Sequence, residues 1–129
     1  MLINNMNNAV KKLKKGFSTY LLDEAVDRKK EEREKLRLDV LKKLNYIIGK
    51  LHLEIPFNEA YIFGSVTKPY EFSENSDADI GFRGLKDEYF FKAMAFISRE
   101  INRDVDVVQL ERSRFAKKIK KEGVKVILR

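Results

Sequence analysis

The spacing of apolar residues changes at Pro56, and this change limits the folds that the chain can adopt. Over residues 5–53 apolar side chains recur every three or four positions, a period that indicates a helix. The stripe comprises Leu13, Phe17, Leu21, Ala25, Leu41, Leu44, Ile48 and Leu51. Beyond Pro56 the apolar runs are shorter, and several alternate with polar residues as strands do. We therefore expect a long N-terminal helix followed by a domain that mixes strands and helices.

A charged segment interrupts the apolar stripe of this helix. Residues 27–37 contain no apolar side chain except Leu36, so a helix there has almost no face to bury. The pattern allows either one long helix or two helices that meet near residues 26–34. We expect residues 1–35 to be a helical extension of a domain formed by residues 36–129. Residues 1–26 are a candidate surface for packing on another chain, including a second copy of the protein.

The segments after Pro56 predict an α+β fold, a small mixed sheet backed by helices. In chain order the expected elements are a strand at 60–63, a loop at 66–76, a strand at 77–82, a helix at 87–101, a strand at 104–110, a basic helix at 112–122 and a strand or extended tail at 124–128. Gly123 is the expected end of the basic helix. Valines fill the strand at 104–110, and this favours an interior position in the sheet.

Composition narrows the environment and the partners of the chain. With no cysteine, neither disulfides nor thiolate metal sites can form. No apolar run reaches the length of a membrane span or a signal peptide, so we expect a cytoplasmic protein with no membrane association. Residues 112–129 carry eight basic side chains against Glu122 alone, which accounts for the whole net charge of +7. This basic end is either a solvated helix face or a surface for phosphate, nucleic acid or an acidic partner.

Two Asp-x-Asp pairs are the candidate metal ligands. Asp77 and Asp79 stand two positions apart on a predicted strand, so both carboxylates face one side and repel each other unless a cation is bound. Asp104 and Asp106 repeat the pattern on the next predicted strand. Asp106 is the stronger candidate because it lies inside the valine-rich strand, whereas Asp104 stands at its edge beside Arg103. Hard oxygen ligands of this kind suit Mg²⁺ or Mn²⁺.

A turn before these strands is a candidate phosphate site. Gly64 and Ser65 close the aromatic strand at 60–63, and glycine lets a phosphate approach the backbone closely. The free N–H groups of such a turn and the Ser65 hydroxyl are suitable donors to phosphate oxygens. A phosphate-binding turn with three carboxylates on neighbouring strands indicates metal-assisted phosphoryl transfer.

These motifs together resemble the minimal nucleotidyltransferase family of the DNA polymerase β superfamily. The resemblance is carried by Phe63-Gly64-Ser65, then Ser76-Asp77-Ala78-Asp79-Ile80, and finally Val105-Asp106-Val107-Val108. It spans residues 36–129 and implies a polymerase β-like nucleotidyltransferase fold. Two features depart from the family pattern. Residues 66–69 replace an arginine and a glycine that many relatives have after Gly-Ser, and Ala78 is smaller than the apolar residue that relatives often have there.

The resemblance also implies a mechanism and a set of site residues. Asp77, Asp79 and Asp106 would be the catalytic residues and would bind two Mg²⁺ ions, with Mn²⁺ as the alternative. Asp106 would also help to deprotonate the acceptor hydroxyl. The implied nucleotide-binding residues are Gly64, Ser65, Lys68 and Ser76, of which Gly64 and Ser65 hold the β- and γ-phosphates and Lys68 replaces the missing arginine. AMP would move from ATP to the acceptor, and pyrophosphate would leave.

The resemblance finally implies a partner, while the residues leave other functions open. Small members of the family often act with a helical HEPN-type protein in a toxin–antitoxin system, so a HEPN-type partner whose tyrosine receives AMP is expected. The first alternative is an antitoxin with a silent site, which neutralises its partner by contact alone. The second is a basic protein that binds nucleic acid through residues 112–129.

Overall fold

The structure, a computed structural model, describes residues 8–128 of the chain, with side chains from Thr19 onward. Its helices and strands are α1 (Asn8–Leu51), β1 (Glu59–Phe63), β2 (Ala78–Arg83), α2 (Asp87–Ile101), β3 (Val105–Gln109), α3 (Ala116–Glu122) and β4 (Val124–Lys125). Short 3₁₀ turns follow β1 and β3, at Gly64–Thr67 and Leu110–Arg112. No helix among these residues is both long and apolar enough to cross a membrane.

α1 is one continuous helix through the charged segment, so the first of the two predicted arrangements is the one observed. Residues 27–33 are exposed, and all but Asp27 are Glu, Lys or Arg, which have high helix propensity. Among the side chains of α1 that the structure describes, from Thr19 onward, the buried apolar residues are Val40, Leu44, Ile47, Ile48 and Leu51. Contacts divide the chain into two compact units, one ending at Glu32 and one beginning at Arg33. Packing of residues 1–26 on another chain stays a prediction, and residues 1–7 lie outside the described part.

The four strands form one mixed sheet in the order β3-β2-β1-β4, in agreement with the predicted fold class. β1 is antiparallel to both β2 and β4, whereas β2 and β3 are parallel and α2 connects them. One face of the sheet, with Ile62 and Ile80, packs on α1 and α2 to form the main core. The opposite face carries a smaller cluster of Tyr61, Leu110 and Ile119, through which α3 is attached.

The predicted interior position of β3 is wrong, because β3 forms an edge of the sheet. β3 is rich in valine for a different reason. Val107 packs in the main core and Val108 packs against the smaller cluster on the opposite face. Apolar residues on both faces of a strand therefore indicate that other elements pack on both faces of the sheet. They do not indicate that the strand has a neighbouring strand along each of its two edges.

The basic helix is shorter than the predicted span of 112–122. A 3₁₀ turn ends at Arg112, residues 113–115 connect it to the helix, and α3 begins at Ala116. Gly123 ends the helix as predicted, but its φ of −77° is not left-handed. A Cβ at Gly123 would lie 2.6 Å from the Ile119 carbonyl oxygen and 2.9 Å from that of Ile62. Glycine is needed there because α3 and β1 approach closely.

Candidate active site

The sheet brings the three predicted carboxylates onto one face. Asp79 on β2 is paired with Phe63 on β1 and with Asp106 on β3, so the side chains of these three residues form a row across the sheet. Asp77 comes directly before β2 and, two positions before Asp79, faces the same side. Gly64 follows Phe63 at the end of the row. We call Phe63, Asp79 and Asp106, together with Asp77 beside them, the carboxylate row.

The carboxylates repel one another. The pKa of Asp79 is raised to about 6, first by burial of its carboxyl group and then by the negative charges of Asp106 and Asp77. None of the ion pairs in the described part of the chain includes any of these three residues. Like charges held together without a basic partner are unfavourable by themselves, and this arrangement favours a bound cation.

The donor set fits Mg²⁺ or Mn²⁺, since both ions prefer carboxylate oxygens. Within residues 8–128, no three Asp, Glu, His or Cys side chains are close enough together to enclose a metal ion. Asp77, Asp79 and Asp106 share one face of the sheet, but their carboxylates are too far apart to enclose a metal ion. They would have to move closer together around a bound cation. Asp104, the alternative considered from the sequence, precedes β3 and is not among the charges that raise the pKa of Asp79.

Gly64 brings the turn after β1 against the carboxylates. Its φ of 78° lies in the left-handed region, and a Cβ at this position would overlap the Asp79 carboxylate. The Thr67 hydroxyl closes the turn by donating to the Gly64 carbonyl oxygen at 2.7 Å. The predicted phosphate-binding turn therefore lies directly beside the carboxylate row. Ser65 is half-buried in the turn, and its contact with phosphate stays a prediction.

An ion pair on α1 holds the other side of this turn. Arg37, which is only 9% exposed, donates to both carboxylate oxygens of Glu34 and, at 3.2 Å, to the carbonyl oxygen of Val66. Glu34 accepts a hydrogen bond from the Tyr70 backbone N–H at 2.8 Å. The φ of Tyr70 is 65°, a conformation that is strained for a residue other than glycine. Our sequence prediction did not include this pair, although a charged residue inside the apolar stripe of a helix was a signal for it.

A second arginine holds the loop that leads into Asp77. Nη1 of Arg103 donates to three backbone carbonyl oxygens in this loop, those of Ser73 (3.1 Å), Glu74 (3.0 Å) and Ser76 (2.6 Å). The Arg103 guanidinium also lies over the Phe72 ring, 4.6 Å from its centroid. The hydroxyl of Ser76 accepts a hydrogen bond from the Ser73 N–H at 3.0 Å. Ser76 therefore stabilises the loop before Asp77, and its predicted contact with a nucleotide stays a prediction.

A cleft of about 520 Å³ opens beside Gly64, between the turn after β1 and α3. It is lined by Phe63, Gly64, Thr67, Lys68, Val108, Ser113, Phe115, Lys118, Ile119 and Glu122. Aromatic and aliphatic side chains there suit a base or a sugar ring, and the two lysines suit phosphate. The sequence prediction included Lys68 and missed Lys118 and Phe115. The signal for Lys118 was its neighbour Ile119, the apolar residue that turns the basic helix towards the sheet.

Solved structures with a similar fold include toxin–antitoxin complexes. A chain of a toxin–antitoxin structure with AMP-PNP is 23% identical to this protein, with a TM-score of 0.56 over 66% of this chain and 73% of that one. A chain of MntA–HepT is 22% identical, with a TM-score of 0.51 over 69% and 73%. A chain of the tri-AMPylated Shewanella oneidensis HEPN toxin in complex with MNT antitoxin is 21% identical, with a TM-score of 0.52 over 70% and 73%. At these identities the likeness establishes the fold.

The sequence itself matches a protein family over most of the described domain. Residues 45–129 match the model of the family described as polymerase beta, nucleotidyltransferase. No curated protein sequence matches the chain significantly. The matched residues include the turn after β1, the carboxylate row and every residue that lines the cleft. The match extends over more than half of the sequence, and the chain therefore belongs to the polymerase beta nucleotidyltransferase family.

Proposed function

We propose that the protein transfers AMP from ATP to a hydroxyl group of a partner protein in a reaction that depends on Mg²⁺. The observation that carries this proposal is the position of Asp79, between Asp106 on one side and the Gly64 turn on the other, beside the cleft. Carboxylates for a cation, a turn that approaches phosphate and nearby lysines are the parts that phosphoryl transfer requires.

Asp77, Asp79 and Asp106 would hold the metal ions in this reaction. Bound there, Mg²⁺ would neutralise the charge of the triphosphate and of the departing pyrophosphate. The raised pKa of Asp79 supports the assignment, because a nearby cation stabilises an ionised carboxylate and offsets the repulsion in the row. Mn²⁺ shares the preference for oxygen ligands and is the alternative ion.

The side chains of the protein supply binding, orientation and a proton acceptor. The N–H groups of Gly64 and Ser65 and the ammonium group of Lys68 bind the β- and γ-phosphates. Phe115 provides apolar surface for the base. Asp106 accepts the proton of the acceptor hydroxyl. The acceptor oxygen forms a bond to the α-phosphorus, the bond from this phosphorus to the α,β-bridging oxygen breaks, and pyrophosphate leaves with that electron pair.

A HEPN-type helical protein is the proposed acceptor, and the protein would act as its antitoxin. Structures of similar fold are toxin–antitoxin complexes, one of which contains a tri-AMPylated HEPN toxin with an MNT antitoxin. The lysines of α3 provide a basic surface for docking, because Lys117, Lys120 and Lys121 are exposed. The exposed residues of α1 up to Val26 are a second candidate surface.

Calorimetric titration with ATP, with and without Mg²⁺, tests the nucleotide site. We expect the wild type to bind ATP when Mg²⁺ is present and the variant Asp77→Ala/Asp79→Ala to lose this binding. Asp104→Ala is the matched control, because Asp104 is an exposed aspartate whose charge is not among those that raise the pKa of Asp79. A wild type that binds no ATP in Mg²⁺ would contradict the proposal.

Intact-mass measurement of a HEPN partner incubated with the protein, ATP and Mg²⁺ tests the transfer step. The expected result is a partner that gains one or more AMP groups and loses its activity. A partner that is inactivated without a gain in mass favours the silent antitoxin, and the double variant should then neutralise it equally well. Binding of RNA that weakens steeply with salt would instead favour the nucleic-acid hypothesis.

A further inference from the structure

β3 has an outer edge that pairs with no strand of the described chain. The hydrogen bond from Ala78 N to Asp104 O, at 3.1 Å, determines which backbone groups of β3 face β2. In a parallel pair the bonded residues alternate, so the backbone groups of Asp106 and Val108 point towards β2. The groups that point away from the sheet are those of Val105, Val107 and Gln109.

A groove of about 550 Å³ lies at this outer edge beside Val107, Val108 and Gln109, the last three residues of β3, and we call it the edge groove. Its lining comes from both faces of the sheet, since Val107 belongs to the main core and Val108 to the face with the carboxylates. The full lining is Phe90, Val107, Val108, Gln109, Arg112, Ser113, Arg114 and Phe115. Three of these residues, Val108, Ser113 and Phe115, also line the cleft, so the two cavities adjoin.

We propose that the acceptor segment of the partner docks in the edge groove as an extended strand paired with β3, an inference that rests on the proposed transfer reaction. The unpaired backbone groups of β3 can bind any extended segment through main-chain hydrogen bonds. A docked strand that continues from the groove along the rest of β3 adds one position to the carboxylate row, next to Asp106. The side chain at that position lies on the carboxylate face, where the acceptor hydroxyl has to be.

The charge of the edge groove indicates an acidic segment. Arg112 and Arg114 line the groove, and its lining contains no carboxylate. Arg112 is paired with Asp87 at 2.8 Å. Arg114 lies over the Phe115 ring and has no ion-pair partner among the described residues, so it is the cation available to an acidic side chain. β3 also contains none of the lysines or prolines that usually block pairing at an exposed edge.

A capped nonapeptide tests the strand pairing on the full-length protein. The probe alternates valine and threonine, with a central tyrosine and a glutamate at each end, and its binding is followed by fluorescence anisotropy. Two versions carry backbone N-methyl groups on alternate sets of residues, so each lacks the N–H donors on one side of the strand. One set faces β3 and the other faces solvent. We therefore expect one version to bind about tenfold more weakly than the other, the effect of losing one to two hydrogen bonds.

Arg114→Glu tests the charge of the groove. We expect it to weaken binding of the glutamate-ended peptide by about tenfold and to strengthen binding of a lysine-ended version, through the reversed charge. Equal binding of the two N-methylated versions, an unchanged charge preference, or no peptide binding by a wild type that binds ATP would each overturn the inference. These results would leave the proposed function in place, whereas a wild type that binds no ATP counts against that function.

Discussion

At the scale of single residues, the charged carboxylate of Asp79 suits a metal ion but lowers the stability of the metal-free folded protein. Its carboxyl group is partly buried and lies close to two other carboxylates. The pKa of Asp79 is about 6 in the folded protein, against an ordinary value of 3.8. The folded state therefore binds a proton more readily than the unfolded state between these values, and stability from this group is lost as the pH rises through the interval.

Asp79→Asn should consequently raise the unfolding temperature of the metal-free protein at pH 7, because asparagine removes the charge and keeps a similar volume. At pH values below 3.8 the difference should disappear, since Asp79 is then protonated in both states. Melting curves in EDTA at several pH values measure the effect, and Asp104→Asn, an exposed aspartate, serves as the control. An unfolding temperature at pH 7 no higher than that of the wild type would contradict this account.

Arg37 acts at the same scale, but as a positioning residue for the turn that carries Gly64. Arg37→Met should lower the free energy of unfolding by about 1–3 kcal/mol, because Glu34 and the Val66 carbonyl oxygen lose a charged donor. It should also weaken ATP binding in Mg²⁺. Arg37→Lys keeps the charge and should restore part of both losses. Denaturant unfolding and calorimetry measure the two quantities.

The matched control for Arg37 is Arg33→Met, which removes an exposed arginine one helical turn earlier. It should change neither stability nor ATP affinity appreciably. If Arg37→Met binds ATP as tightly as the wild type does, the turn keeps its shape without the ion pair.

At the scale of elements, Glu59 connects three strands of the sheet. It begins β1 and forms ion pairs with Arg83 on β2 at 2.6 Å and with Lys125 on β4 at 2.9 Å. The pKa of Glu59 is lowered from 4.5 to about 2, mainly by the hydrogen bonds from Arg83 and then Lys125. β4 has only two residues, and the contact with Lys125 adds to the hydrogen bond from the Val126 N–H to the Ala60 carbonyl oxygen at 2.8 Å in holding this segment to β1.

The contribution of Glu59 to stability should be complete above pH 4.5 and should be lost as the pH falls towards 2. In this interval the Glu59 carboxylate becomes protonated and its ion pairs are lost. Glu59→Gln should show a smaller decrease in unfolding temperature over this interval. Hydrogen exchange of the β4 amides provides a local measurement. Glu54→Gln, an exposed change in the loop after α1, is the control, and an acid transition that is identical in the wild type and Glu59→Gln would disprove the assignment.

At the scale of the whole molecule, the unit that begins at Arg33 contains the sheet, the main core, the carboxylate row and the cleft. The protein without residues 1–32 should therefore unfold cooperatively and bind ATP in Mg²⁺ like the full chain. Removal of residues 1–37 also removes Glu34 and Arg37, so ATP binding should weaken. Circular dichroism and calorimetry on the two truncated proteins measure the difference. A protein of residues 33–129 that fails to fold would show that the core needs the preceding helix.

Several parts of this molecule could be predicted from local sequence. The helix α2 agrees with the predicted span of 87–101, because its apolar residues recur with a helical period over the whole segment. β2 and the common face of Asp77 and Asp79 follow from the alternation of side chains along a strand. The predicted start of the basic helix was less accurate, because a run of basic residues suits a helix but does not determine where α3 begins to pack on the sheet.

What the sequence determined by itself is therefore periodic and local: the long helix, the strands, the paired aspartates and the glycine turn. Only the tertiary structure decided that β3 is an edge, which residues of β2 and β3 are paired, and that Arg37 holds the turn from 29 residues away. The cleft and the edge groove belong to this second group. The physical reason is that strand order, register and buried ion pairs depend on contacts between distant segments, whereas side-chain periodicity depends on the geometry of the backbone at each residue.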